Sequence, residues 1–176
     1  MCLSKLLNLF RSSRRAPEII SDPIEELRKL SSTTAKVENY EYLETENQSD
    51  RDHHKYLIHV TGLNEARSVI KNGRICGIFT YATFAQDINQ CTRQAEKKGC
   101  ALIFHWKGSV MTGHRPATLK PDTAYHHVEP TGYVETFIVH GSLTPLKLIA
   151  IALSSDPEPY RTAHILESPI SIMVQR

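Results

Sequence analysis

Glu135 stands in a run of strand formers, YVETFIVH (133–140), where a charge is locally out of place. With strand alternation, Tyr133, Glu135 and Phe137 share one face. A fixed carboxylate of this kind places negative charge beside a developing cation, and its effect grows where water is excluded. The plain alternative is a strand glutamate facing solvent, and Glu129, next to Pro130, is a rival carboxylate. His59 is the second residue of interest. It lies in a short apolar run, YLIHVT (56–61), and is followed by Thr61 and the start of a helix. A lone strand histidine is usually satisfied in the core or faces solvent; Thr61 and the helix favour a binding role here. A third run, RICGIFTY (74–81), holds Phe79 and Tyr81 two residues apart and so on one face, where either ring is able to stack on a flat ligand.

Other constellations carry less. His53 and His54 are adjacent, as are His126 and His127, and adjacent strand residues point to opposite faces, so no metal centre is expected. The four cysteines, Cys2, Cys76, Cys91 and Cys100, form no C-x-x-C pair and no zinc-finger spacing. Cys76, Cys91 and Cys100 read as small core residues of a protein working in a reducing compartment. Nothing around any cysteine marks it as a nucleophile.

The elements that position these residues follow from periodicity and punctuation. The 56–61 strand leads to a helix, NEARSVIKNG, capped by Asn64 and stopped by Gly73 in the left-handed position, with Ala66, Val69 and Ile70 on its buried face. The 74–81 run returns as a strand. Thr83 and Gln86 form a capping box for a second helix, closed by Gly99. ALIFHW (101–106) is the next strand, and 107–132, with its Gly, Pro and four His, reads as a long loop. Two strand-like runs come next, 133–140 and LKLIAIAL (146–153), and SPISIMV (168–174) is expected to add an edge strand. There is no regular alternation of a doubly wound sheet and no glycine-rich phosphate loop. The reading is an α+β fold with a mixed or antiparallel sheet.

The N-terminal third is different. In MCLSKLLNLFRSSRR (1–15), Leu3, Leu6, Leu7 and Phe10 share one helical face, with Lys5, Asn8 and Arg11 off it and Arg14 and Arg15 following. Such a segment suits an anionic membrane surface, and acylation of Cys2 would add a second anchor; packing on a protein core is the equal alternative. Residues 16–53 read as a short helix and a polar linker. Asp22 caps the helix, with Pro23 at its first position and Glu25 completing a capping box. Residues 31–54 are polar, with a weak strand near Val37–Leu43. The catalytic domain is expected over 54–176.

The 176 residues suit one domain with a short appendage, and 40% hydrophobic with 23% charged residues is ordinary globular composition. A net charge of +2 is too mild to argue for a specific nucleic-acid partner. No stretch reaches transmembrane length, and Lys5 and Asn8 interrupt the N-terminus too early for a secretory signal.

The runs YLIHVTGLNEARSVIKNG, GIFTYATFAQDINQC, ALIFHWKG and VETFIVHGSLTPLKLIAIAL, in that order, resemble the ADP-ribosyltransferase superfamily. The nearest branch has a His-Tyr-Glu triad and includes poly-ADP-ribose polymerases and diphtheria-like toxins. The resemblance covers roughly residues 54–153. It implies a split β-sheet core with flanking helices, NAD⁺ as substrate and no metal. It also implies that the glycosidic bond of NAD⁺ breaks to an oxocarbenium-like ribose and neutral nicotinamide. By that resemblance His59 bonds the adenosine ribose, Val60 offers its main chain to the nicotinamide carboxamide, and Thr61 bonds a ribose hydroxyl. Tyr81 stacks on nicotinamide, although an ungapped match to the polymerases puts Phe79 there. Glu135 bonds the nicotinamide ribose and stabilises the cation.

Arginine-modifying members carry Glu or Gln two residues before the catalytic Glu, where this chain has Tyr133, so arginine is not the expected acceptor. A single transfer to a protein acceptor is expected, and no polymer elongation. Two other readings stay open. One is an inactive binding module on the same fold. The other is an RNA 2′-phosphotransferase, for which Arg51 and Arg74 are candidates but the RNA-binding lobe is missing. A compact transferase with a membrane-seeking segment is similar to bacterial effectors and toxins. The expected location is cytoplasmic or peripheral to a membrane, including action inside a host cell after secretion.

Overall fold

Short runs of β-branched, aromatic and aliphatic residues dominate the chain, and they become strands far more often than helices. A computed structural model describes residues 21–36, 55–75, 80–82, 98–106, 109–112, 117–118, 120, 123–128, 134–139, 146–158 and 161–174. Among them are two helices, α1 (Pro23–Arg28) and α2 (Leu63–Asn72). The strands are β1 (Ser31–Lys36), β2 (Lys55–Gly62), β3 (Arg74–Ile75), β4 (Thr80–Ala82), β5 (Gly99–Trp106), β6 (Ser109–Thr112), β7 (Thr123–Val128), β8 (Val134–Val139), β9 (Leu146–Leu153) and β10 (Thr162–Val174).

The strands form two sheets. The larger runs β1-β10-β9-β5-β2-β4, with β3 pairing off this path in parallel with β10; its other pairs are antiparallel. The smaller runs β6-β7-β8, parallel then antiparallel. This is an α+β architecture built on a mostly antiparallel sheet core.

Both faces of the larger sheet are buried. One carries Leu57, Leu102, Phe104, Leu148, Ile151 and Leu153 against Ala66 and Val69 of α2 and Leu27 of α1. The other is built from smaller side chains: Ala101, Ala150, Ala152 and Ala163 beside Tyr56, Ile58, Val60 and Ile103. A bulge lets β9 serve both. Ile103 pairs with Ala150 but Phe104 with Leu148, so Ile149 is the extra residue and the inward phase flips there. Opposite it, β10 breaks register between Ile165 and Ile170, the stretch that holds Pro169. Proline has no N–H for a ladder, so it sits where pairing lapses.

Several local expectations are corrected. α2 begins at Leu63 with Gly62 as its N-cap, so Asn64 lies inside the first turn and is not the cap. Its C-terminal glycine is as read: Gly73 has φ 63° and its N–H bonds the Val69 carbonyl. Asp22 caps α1, with its carboxylate accepting from the Ile24 N–H at 3.0 Å, one residue earlier than a capping box would place it. The polar stretch from residue 31 opens with β1, which Ser and Thr enter because β10 supplies the hydrogen bonds and Ala35 alone is buried. The weak strand near 37–43 lies outside the described residues, as do residues 1–15 and the second helix up to residue 97. The 107–132 loop contains β6 and β7. The C-terminal run is no edge: β10 lies between β1 and β9.

A buried polar chain fastens α1 and β1 to this frame. Asp156 accepts from the Arg28 guanidinium at 3.0 Å and faces His164 Nε2 at 2.8 Å. His164 Nδ1 lies 3.1 Å from the Thr34 hydroxyl. One network thus joins Arg28, Asp156, His164 and Thr34, with each ring nitrogen of His164 facing a hydrogen-bonding partner. The Asp156 and His164 side chains are 4% and 10% exposed, whereas Arg28 is 37% exposed, so the His–Asp bond contributes more than the ion pair. Asp156→Ala is expected to cost about 2 kcal/mol, because it strands His164 Nε2 in the interior. Urea denaturation checks this: the midpoint falls with an unchanged slope. An unchanged midpoint would show that the chain of bonds does not hold α1 and β1 to the sheet.

Candidate active site

β2 is the strand around which the site residues gather. Its whole length pairs with β5: His59 opposite Leu102, Val60 opposite Ala101 and Thr61 opposite Cys100. By alternation His59 and Thr61 share the face of Leu57, the face covered by α2, while Val60 points to the opposite core. His59 is half-buried. Thr61 is 7% exposed and Val60 9%. The Val60 side chain is taken up by packing, so what this residue can offer a ligand is its main chain.

The other edge of β2 pairs with β4. The described ladder to β4 joins Tyr56 to Ala82, Leu57 to Tyr81 and Ile58 to Thr80, and stops there. β2 itself runs on to Gly62. Every second residue of an antiparallel strand turns its N–H and C=O to a given edge. Backbone from His59 to Gly62 therefore extends past the described part of β4. α2 follows at once from Gly62, with no side-chain cap on its first amides, so partial positive charge collects at that end of the strand.

β4 closes the arrangement. Its ladder edge brings Tyr81 opposite Leu57, and it also lies against β8, the strand of Glu135. Residues 59, 81 and 135, far apart in the chain, thus stand on three neighbouring strands, β2, β4 and β8. Phe79, Glu129 and Tyr133 lie outside the described residues, as do Arg51, His53 and His54. Arg74 is exposed on β3. A groove of about 720 Å³ lies between α1 and α2, floored by Leu27, Leu30 and Ile70 with Asn64, Arg67 and Lys71 at its rim. His59, Tyr81 and Glu135 do not line it.

One relation escaped sequence reasoning. In the β7–β8 ladder His127 is the register partner of Glu135. By residue type alone the histidines of β7 suggest only half of a metal site. The signal was available: five residues containing Pro130 and Gly132 separate Val128 from Val134, a hairpin spacing. Among the described residues no group of three or more His, Cys, Asp or Glu is placed to hold a metal ion. No helix among them is long and apolar enough to cross a membrane.

Comparison of the chain with protein-family models, with curated proteins and with solved structures gives no match.

Cys100 sits directly behind Thr61 and is fully buried. Burial pushes its thiol up to about 12. The thiolate is the reactive form, and a raised thiol stays protonated through neutral pH. Cys100 is therefore a core residue whose thiol is protonated at neutral pH. Iodoacetamide at pH 8 is expected to leave the Cys100 peptide unmodified in the native protein and to alkylate it fully in urea. Native alkylation of that peptide would place an opening behind Thr61.

Proposed function

We propose that this chain is a mono-ADP-ribosyltransferase that cleaves NAD⁺ and transfers ADP-ribose to a protein acceptor. The observation that supports it best is the gathering of β2, β4 and β8, which bear His59, Tyr81 and Glu135. The resemblance of these runs to the His-Tyr-Glu branch supplies the roles.

His59 and Thr61 hold ribose hydroxyls, the Val60 main chain holds the carboxamide, and Tyr81 or Phe79 stacks on the nicotinamide ring. Aromatic stacking keeps the dinucleotide bent and its scissile bond exposed to Glu135. Glu135 bonds the nicotinamide ribose and balances the charge that develops as the glycosidic bond breaks. Nicotinamide leaves as a neutral amide, and an acceptor nucleophile takes its place on the ribose carbon. The positive end of α2 beside Gly62 suits the diphosphate. The N-terminal segment 1–15 would hold the enzyme at an anionic membrane surface, near its acceptor.

Glu135→Gln keeps shape and removes charge. It is expected to leave NAD⁺ binding intact and to lower kcat by on the order of 10²-fold or more. Labelled NAD⁺ incubated with cell lysate, with turnover followed by nicotinamide release, measures both. Near-wild-type turnover would move the role to another carboxylate, Glu129 first, and NAD⁺ binding without any turnover in the wild type would favour an inactive binding module.

The stacking residue is separable by affinity. Tyr81→Ala is expected to weaken NAD⁺ binding more than Phe79→Ala does, by roughly 0.5–1.5 kcal/mol beyond the loss of buried area. Calorimetric titration of the two folded variants decides it, and a larger loss for Phe79→Ala would shift the register to that ring.

A further inference from the structure

Glu135 has a titratable register partner. The β7–β8 ladder pairs Val128 with Val134, His127 with Glu135, His126 with Thr136 and Tyr125 with Phe137. Direct partners in an antiparallel ladder occupy the same face of the sheet and form its unit of interaction. Of the two adjacent histidines, His127 is thus the register partner of Glu135, and His126 that of Thr136. Among the described residues the strands around this pair carry few other titratable groups; Glu129 and Tyr133, each two residues from one of the pair, lie outside them. β6 carries none. β4, which lies against β8, carries Tyr81. On β7 itself Tyr125 shares the face of His127; it is 3% exposed, and its hydroxyl accepts from the Lys120 N–H at 2.7 Å.

We infer that His127 is a positioning residue for Glu135, and that its protonation sets how much negative charge the carboxylate presents to the reacting ribose. This rests on the reading of Glu135 as the carboxylate that stabilises the oxocarbenium. A neutral imidazole donates one N–H and brings no net charge, so it orients a carboxylate without weakening its field. An imidazolium at the same register position offsets that field, just where a second positive charge is developing on the substrate. The neutral form is therefore the productive one. Activity falls as pH drops through the imidazole range, well before the carboxylate itself is protonated.

The test joins kinetics to a titration that needs no turnover. In the full-length protein, kcat and KM for NAD⁺ cleavage are measured from about pH 5 to pH 8.5, across the imidazole range. The wild type loses kcat on the acid side near the imidazole range, with KM little changed. His127→Gln keeps an N–H donor that does not titrate, so it retains the plateau rate and its acid limb moves down toward the carboxylate range, about pH 4–5. His127→Phe removes the donor and lowers kcat several-fold at every pH. An acid limb at the same pH in wild type and His127→Gln overturns the inference.

Separately, the His127 ring resonances are titrated by NMR in wild type and Glu135→Gln. Loss of a facing carboxylate removes what favours the imidazolium, so the His127 midpoint moves down, by about one unit for a close pair. An unmoved midpoint overturns the pairing even if NAD⁺ is not the substrate. A moved midpoint in a protein that shows no NAD⁺ cleavage upholds the pairing and discards the transferase reading.

Discussion

β5 is the strand on which the rest of the fold depends. Gly99–Trp106 pairs with β2 along one edge and with β9 along the other, and its side chains enter the cores on both faces of the larger sheet. Leu102 and Phe104 have no exposed surface, and Ile103 has 1%. A strand buried on all sides admits only one register, because a slip of one residue would exchange its two faces. That register hands β2 its orientation. Leu102 opposite His59 and Cys100 opposite Thr61 put both residues on the α2 side, and Ala101 opposite Val60 sends Val60 into the small-residue core. The start of β5 is equally constrained. Gly99 has φ 107°, a conformation open to glycine, and a Cβ there would meet Leu63 of α2 at 3.4 Å.

The site is then a consequence of which edges remain. β5 and β9 are interior and β1 is at the far edge, so β4 is the end of the larger sheet that reaches the smaller one. β8 is in turn an edge of the smaller sheet. The two sheets meet where β4 lies against β8, on the edge of the larger sheet next to β2. In this arrangement strands, and not loops, carry His59, Tyr81 and Glu135; a ladder joins the first two strands, and β8 packs against β4 from the smaller sheet.

Legibility in the sequence tracked how local each cause was. β2, α2, β5 and β9 were readable because apolar periodicity and Gly73 act within a few residues. Asp22 and Pro23 announced α1 in the same way. β1 was hidden because Ser-Ser-Thr-Thr carries no hydrophobic signal, and its strand character comes from β10, more than a hundred residues away. β6 and β7 were hidden by the Gly, Pro and His around them, and the interior place of β10 by the bulge at Pro169, which truncates the apparent run. For the site, residue types on single strands suggested His59, Tyr81 and Glu135, but no local pattern told that β4 lies against β8. The pairing of His127 with Glu135 is likewise a property of a register, which two separate runs do not show until the turn between them is read.

On the proposed function NAD⁺ binds beside β2, β4 and β8, and hydrogen–deuterium exchange with and without saturating NAD⁺ reads this placement. Exchange is expected to slow in peptides covering the end of β2 with the first turn of α2, β4 and β8, and to stay unchanged in α1 and the outer face of the α1–α2 groove. Protection confined to that groove, or no protection at β2 and β8 in a protein that binds NAD⁺, would contradict it.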